Sequence, residues 1–122
     1  RYSEFLGWDE VRDLRDRGFT IGSHTVSHAN LKRIPVEAAA EEISASRRRL
    51  EEALEAPVSH FSFPYGRRTR VAERLVREAG YRTAVVTGER VNGRFARLHR
   101  LARIRVDGRE PLEAFRARLL SR

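Results

Sequence analysis

The chain has 122 residues, a formal net charge of +8, and neither cysteine nor methionine. This length fits one domain or a piece of one, and a hydrophobic content of 40% is enough for a core. The lack of cysteine excludes disulfides and thiolate metal sites, and no apolar run reaches the ~18 residues of a membrane span. No signal peptide is visible. Because the chain begins Arg1-Tyr2 without Met, we expect it to be a fragment that lacks an N-terminal part.

The positive charge lies in the second half. Residues 1–61 carry 9 basic and 11 acidic residues, a net of −2, whereas residues 62–122 carry 16 Arg and 6 acidic residues, a net of +10. A basic half can indicate an anionic partner such as nucleic acid, lipid headgroups or an acidic polymer. However, all basic residues except Lys32 are Arg, a skew typical of GC-rich genomes, and no DNA-reading motif accompanies them. We therefore expect no nucleic-acid partner, and a basic nucleic-acid-binding module is a less favoured alternative.

The first elements in chain order are a helix, a strand and a loop. Apolar residues at every third position predict a helix over residues 8–17, which Gly18 ends in a left-handed conformation. Residues 19–22 predict a short buried strand, and residues 24–34 predict a loop.

A second helix is predicted between Pro35, which fits a first turn, and Pro57, which ends the helix. The run of arginines at residues 47–49 is interpreted as its solvated face, with the ion pairs Arg47–Glu51 and Arg48–Glu52. Its buried stripe is predicted to comprise Val36, Ala40, Ile43, Leu50 and Leu54.

The second half predicts three more strands, over residues 58–63, 81–87 and 101–106, and two helices. Thr69 caps the first of these helices, and Pro111 opens the last. The residues expected to point inward from these helices are Val71, Leu75, Val76, Ala79, Leu112, Phe115 and Leu119. Strands separated by helices imply parallel pairing and an α/β architecture, with too few strands to close a barrel.

Two segments that follow predicted strands carry candidate chemistry. His24 and His28 are four residues apart, so both imidazoles can bind one metal ion from a single turn or tight loop. This spacing alone is a weak signal, and the alternative is two solvent-facing histidines. Pro64-Tyr65-Gly66 follows the next strand, and standing alone it indicates a turn with a packed tyrosine. In barrel folds the chemistry lies on loops after the strands, as both segments do.

Five segments form a joint pattern in order and spacing: residues 7–14 (GWDEVRDL), 18–28 (GFTIGSHTVSH), 58–66 (VSHFSFPYG), 79–84 (AGYRTA) and 101–106 (LARIRV). This pattern spans nearly the whole chain and resembles the polysaccharide deacetylase family, the NodB homology domain of carbohydrate esterase family 4. The resemblance is to the C-terminal portion of that domain. It implies a single truncated domain over residues 1–122, a partial, distorted (β/α) barrel whose N-terminal strands are missing.

The resemblance implies hydrolysis of N-acetyl groups from an N-acetylated polysaccharide, a C–N bond that is not a peptide bond. It also implies a divalent metal, usually zinc, held by one Asp and two His, and it assigns the histidine positions to His24 and His28. Such a metal acidifies water and polarises the amide carbonyl. Cobalt, nickel and iron are alternatives. By the same resemblance the protein is bacterial and belongs to the cell envelope or the extracellular space.

The resemblance further implies that Pro64, Tyr65 and Gly66 form a wall of the substrate groove. The backbone N–H of Tyr65 would help to bind the tetrahedral oxyanion. The family's catalytic Asp pair has no counterpart in this chain and is expected upstream. The chain's early acidic residues sit on or before the first helix, at no strand end, and cannot replace it: Glu4, Asp9, Glu10, Asp13 and Asp16.

Other departures concern the supporting residues. Ser62 stands where the family often has an Arg that orients the base, and residues 101–106 lack the family's final His, which acts as general acid. His99 is a remote candidate for that acid, with an exposed loop residue as the alternative. His60 is predicted to be a surface residue, and the sequence leaves open whether Arg103 is structural or contacts the site. A non-catalytic carbohydrate-binding remnant of the fold is therefore a second functional hypothesis.

Overall fold

A computed structural model describes residues 5–121 and shows a three-stranded parallel sheet. The strands are β1 (His60–Ser62), β2 (Thr83–Thr87) and β3 (Leu101–Arg103), in the order β1-β2-β3. Phe61 pairs with Ala84 and Val86 with Ala102. The predicted α/β class and parallel pairing are confirmed. The β2–β3 pair is parallel although the connection between them, residues 88–100, contains no helix.

The described residues also form four α-helices: α1 (Trp8–Asp16), α2 (Val36–Leu54), α3 (Arg70–Glu78) and α4 (Leu112–Leu120). The predicted cap of α3 is confirmed, because the Thr69 hydroxyl accepts the N–H of Ala72 at 3.0 Å. A 3₁₀ turn, Pro64–Gly66, follows β1 directly. No helix of the described residues is long and apolar enough to cross a membrane.

The core lies where β1 and β2 meet α2 and α3. Phe61 and Phe63 project from the same face of the first strand, with ring centroids 5.1 Å apart, and both are buried. Ile43 of α2 and Val76 of α3 are fully buried against this cluster. Tyr81 is also buried, and its hydroxyl donates a hydrogen bond to the Ile43 carbonyl at 3.0 Å. Burial of these side chains stabilises the fold by about 1.5–3 kcal/mol each.

The prediction of a strand over residues 19–22 is wrong. Only Ser23 pairs with the sheet, through a single bridge to Phe61, and Phe19 is 60% exposed. The Phe19 N–H instead bonds to the Leu14 carbonyl at 3.0 Å, and the Gly18 N–H bonds to Arg15. These bonds close the end of α1, with the predicted left-handed Gly18 at φ 93°. The backbone of residues 18–19 therefore completes a helix and cannot begin a strand.

Several side chains predicted to be inward are exposed because of where they lie on their helices. Val36 and Val71 lie in the first turns of α2 and α3, before the first buried residues of these helices, Ala39 and Ala72. In α4 the structure buries no residue. The corrected residues are Val36, Val71, Leu112 and Leu119, with exposures of 47%, 39%, 76% and 39%.

The prediction that residues 47–49 form a solvated face is wrong for Arg47. Its guanidinium donates to the carbonyls of Val58 at 2.9 Å and Ala79 at 2.8 Å, and it lies over the Tyr81 ring. The predicted pair with Glu51 is present at 3.5 Å. The predicted Arg48–Glu52 pair is replaced by a contact between Arg48 and Glu41 at 3.0 Å.

Glu73 of α3 is a buried acid, 4% exposed, that three arginines neutralise. Its carboxylate lies 2.7 Å from Arg100, 2.8 Å from Arg68 and 3.4 Å from Arg77. Burial by itself raises the pKa of Glu73, but the hydrogen bond from Arg100 and the three positive charges outweigh it and hold the pKa below its usual value. Because Arg100 directly precedes β3, its pair with Glu73 links the start of β3 to α3.

Candidate active site

Both candidate segments lie at the carboxyl ends of the strands. His24 follows the Ser23 bridge, and its ring Nδ1 lies 2.6 Å from the carbonyl oxygen of Ser62, the last residue of β1. A carbonyl can only accept, so Nδ1 carries the proton and Nε2 keeps the lone pair. This is the arrangement that metal-binding histidines commonly show, in which one ring nitrogen donates to a carbonyl and the other is available to a metal.

The structure brings His28 and Tyr65 to the same place as His24. The ring centroids of His24 and His28 are 4.8 Å apart, with an interplanar angle of 64°. The centroid of the Tyr65 ring lies 4.7 Å from that of the His28 ring. Two imidazoles whose nitrogens bind one zinc ion at about 2.0–2.1 Å have ring centroids about 5 Å apart. The spacing of the two rings therefore fits the ion that the sequence predicts.

The environment of His24 keeps its ring neutral at neutral pH. Burial lowers the pKa of His24; the hydrogen bond with Ser62 acts in the opposite direction, and electrostatic repulsion from His28 and Arg103 lowers the pKa further. The net pKa lies below the usual 6.5. A neutral imidazole is the form that binds metals.

The turn at residues 64–66 is held in one conformation by close packing. Pro64 is fully buried, whereas Tyr65 is 59% exposed. Tyr65 and Gly66 both have left-handed backbones, with φ of 60° and 64°. A Cβ at Gly66 would lie 2.3 Å from the hydroxyl oxygen of Thr87, so only glycine fits there. Among residues 5–121 nothing accepts a hydrogen bond from the Tyr65 N–H, and this donor is available to a ligand.

Two residues near the histidines were not assigned a role by sequence reasoning. Glu42 of α2 contacts the backbone between His24 and His28, and no pattern distinguishes it from the other glutamates on that helix. Arg103, whose role the sequence left open, ends β3 beside Thr87, and its charge influences His24. Its guanidinium forms no ion pair within the part of the chain that the structure describes.

The prediction that His99 acts as the general acid is not supported by its position. Its Nε2 lies 2.8 Å from the carbonyl oxygen of Tyr81, which precedes β2. His24 lies at the other end of the sheet, so His99 is a strand length away, on the order of 10 Å or more. His60 is exposed at the start of β1, as predicted, with Nδ1 2.6 Å from the Thr83 hydroxyl.

Among the described residues, no carboxylate joins the two histidines. No group of three His, Cys, Asp or Glu side chains that could hold a metal ion occurs within residues 5–121. The early acidic residues from Asp9 to Asp16 lie on α1, where Asp9 pairs with Arg12 and Asp13 with Arg17. They occupy no strand end, as the sequence predicts. Glu4 lies outside the described residues.

Comparisons with solved structures show the fold of known deacetylases. A deacetylase from Streptococcus pyogenes, in complex with acetate, matches with a TM-score of 0.86 at 21% identity, over 93% of this chain and 50% of that one. A polysaccharide deacetylase from Bacillus cereus matches with a TM-score of 0.79 at 24% identity, over 93% and 36%. A de-N-acetylase from Aggregatibacter actinomycetemcomitans matches with a TM-score of 0.77 at 17% identity, over 94% and 53%.

The chain thus spans about half or less of the length of these structures. No curated protein sequence matches it. The family model described as polysaccharide deacetylase matches residues 2–84, more than half of the chain. The predicted family and the partial deacetylase-type fold are confirmed by these matches, and the chain belongs to the polysaccharide deacetylase family.

Proposed function

We propose that this chain carries the histidine side of a metal-dependent site that removes N-acetyl groups from an N-acetylated polysaccharide. One observation carries the proposal: His24 and His28 meet at the carboxyl end of the sheet, with the Nδ1 of His24 bound to the Ser62 carbonyl. This leaves Nε2 of His24 directed away from that carbonyl and available to a cation. The family match and the deacetylase fold support the same reaction.

In this proposal His24 and His28 hold a divalent cation, with zinc as the first candidate for two imidazoles and a carboxylate. A cation bound there supplies a Lewis acid that polarises an acyl carbonyl and makes water more acidic. The third ligand and the base are assigned to carboxylates outside the described residues, since no described carboxylate joins the histidines.

The remaining residues would bind and orient the acetamide. The unpaired N–H of Tyr65 is a fixed donor for the oxyanion that develops as water adds to the carbonyl carbon. When the C–N bond breaks, acetate leaves and a proton goes to the sugar amine. The exposed Tyr65 ring beside His28 offers a flat surface for a sugar. Arg103, unpaired among the described residues and near His24, supplies a positive charge toward the departing acetate.

The same geometry suits a second candidate, a carbohydrate-binding remnant without catalysis. The observation in its favour is the lack of a carboxylate among the described groups that could complete the metal site. The two candidates share the exposed surface at Tyr65 and differ in whether acetate is released. Acetate release therefore decides between them.

The test measures acetate released from a chitin-type oligosaccharide and from peptidoglycan by the intact protein. We expect release that a chelator abolishes and added zinc restores. The variant pair His24→Ala and His28→Ala should lose both activity and zinc binding. His60→Ala is the matched control, because it removes an exposed imidazole at the opposite end of β1.

Binding of the oligosaccharide without acetate release would favour the remnant. Zinc binding that is unchanged in the double His24→Ala, His28→Ala variant would refute the ligand assignment. Steeply salt-dependent binding of duplex DNA, with no binding of sugar, would instead favour the nucleic-acid alternative.

A further inference from the structure

The segment between the two histidines has a strained backbone that contains no glycine. Thr25 has φ 69° and His28 has φ 57°, both in the left-handed region. Such residues are energetically unfavourable and persist only where the surroundings determine them. The position of the His28 ring depends on this backbone, so something outside the segment must hold it.

One carboxylate of α2 makes three hydrogen bonds to this segment. Oε2 of Glu42 accepts the N–H of Val26 at 2.8 Å and the N–H of Ser27 at 3.0 Å. Oε1 of the same side chain accepts the Ser27 hydroxyl at 2.5 Å. Two consecutive N–H groups that converge on one oxygen form the concave backbone arrangement that binds anions. Both lie between the left-handed residues, Thr25 and His28.

We infer that Glu42 is a positioning residue that fixes the His24–His28 segment in the conformation that holds the metal. The inference rests on the proposed function for the identity of the ion. Glu42 binds Val26 and Ser27 and none of the ring nitrogens, so it acts through the backbone. Its charge matters because hydrogen bonds to a charged acceptor are about twice as strong as neutral ones.

The second support of the segment comes from the sheet. His24 is held by the Ser62 carbonyl at 2.6 Å, and the preceding Ser23 bonds to β1 through its backbone, 2.8 Å from the His60 carbonyl. These contacts position the first histidine but not the second. Among the described residues, only Glu42 makes hydrogen bonds to the backbone N–H groups of residues 25–28. The loss of Glu42 should therefore release His28 more than His24.

The test compares Glu42→Ala with Glu41→Ala in the intact protein. Glu41 is the adjacent glutamate, exposed and paired with Arg48, so its removal makes the same charge change without touching the segment. The first measurement is Co²⁺ affinity by competition, with the visible spectrum of the bound ion. The second is the NMR contact between the rings of His28 and Tyr65 in the metal-free protein.

We expect Glu42→Ala to weaken Co²⁺ binding by about 10- to 100-fold, as for other residues that orient metal ligands, and to abolish the ring contact. Glu42→Gln, which keeps a carbonyl acceptor for both N–H groups, should retain much of the Co²⁺ affinity and much of the His28–Tyr65 ring contact. Glu41→Ala should change neither. If Glu42→Ala fails to fold, Ser27→Ala, which removes one of the three hydrogen bonds, should show a smaller loss of the same kind.

Wild-type affinity and an intact ring contact in Glu42→Ala would overturn the inference. A lowered melting temperature with both measurements unchanged would also overturn it, since the role would then be structural only. If the wild-type protein binds no metal, the proposed function fails, and the ring contact alone decides whether Glu42 positions His28. The two failures are therefore distinguishable.

Discussion

The substitution Gly66→Ala should destabilise the turn beside β2 in two ways, through its backbone conformation and through steric overlap with Thr87. Gly66 has φ 64°, where a Cβ-bearing residue pays about 1–2 kcal/mol. The added Cβ would also lie 2.3 Å from Oγ1, 2.5 Å from Cγ2 and 2.8 Å from Cβ of Thr87. Rotation of the Thr87 side chain cannot relieve all three contacts, because the position of its Cβ is fixed by the backbone of β2. Overpacking of this kind adds about 1–3 kcal/mol, so we expect a total loss of about 2–5 kcal/mol.

Two other glycines serve as controls for the cost of Gly66→Ala. Gly18 also has a left-handed backbone, with φ 93°, but its added Cβ meets nothing within 4 Å. Gly18→Ala should therefore cost only the conformational term, about 1–2 kcal/mol. Gly93 has neither feature, and Gly93→Ala should stay within about 0.5 kcal/mol of the wild type. The assay is urea unfolding of the intact protein with unchanged m-values.

A double-mutant cycle with Thr87→Gly tests the steric part directly. Thr87→Gly removes all three clashing atoms, so the cost of Gly66→Ala in that background should fall to about 1–2 kcal/mol. The reasoning is refuted if Gly66→Ala is no more costly than Gly18→Ala, or if Thr87→Gly leaves its cost unchanged.

Two further predictions concern charge. Replacing buried Glu73 by Gln should destabilise the protein by about 2–3 kcal/mol at pH 7, less than for a fully buried pair because its arginines are partly exposed. Because the pKa of Glu73 is lowered in the folded state, the stability difference between the wild type and Glu73→Gln should be full above the unfolded pKa and disappear as the pH falls through the folded pKa. Glu78→Gln, at an exposed pair on the same helix, should cost about 0–1 kcal/mol. Equal costs for Glu73→Gln and Glu78→Gln would contradict the stabilising role of Glu73. Arg103→Gln should raise the pKa of His24 in the metal-free protein, measured by NMR, whereas Arg82→Gln should not; an unmoved His24 would show that Arg103 faces elsewhere.

The sequence predicted the elements whose signals are local. The capping Thr69 and the stop at Gly18 depend on neighbours within a few residues, and both are confirmed. The parallel pairing of β1 with β2 follows from the helix between them, whereas β2 and β3 pair in parallel without a helix in their connection. The sequence predicted that His24 and the turn at residues 64–66 both follow strands, and in the structure they lie at one end of the sheet.

The errors arose where tertiary contacts decide the outcome. The apolar character of Phe19 indicates a strand, yet its N–H is used to end α1. The charge of Arg47 suggested an exposed side chain, yet its guanidinium donates hydrogen bonds to two carbonyls that are distant in the sequence. Glu42 is one of several glutamates on α2, and only the folded segment at residues 25–28 distinguishes it. His99 was a remote candidate acid, and its contact with the Tyr81 carbonyl places it at the other end of the sheet from His24.

Two anchors of the histidine segment sit one helical turn apart on α2. Glu42 binds Val26 and Ser27, and Ser46 bonds to the Ser23 hydroxyl at 2.5 Å inside the protein. Because residues four apart share a helix face, any slide or rotation of α2 would move both attachment points together. A shift of α2 caused by repacking at Ile43 would therefore displace the two imidazoles, although no residue in contact with them is changed.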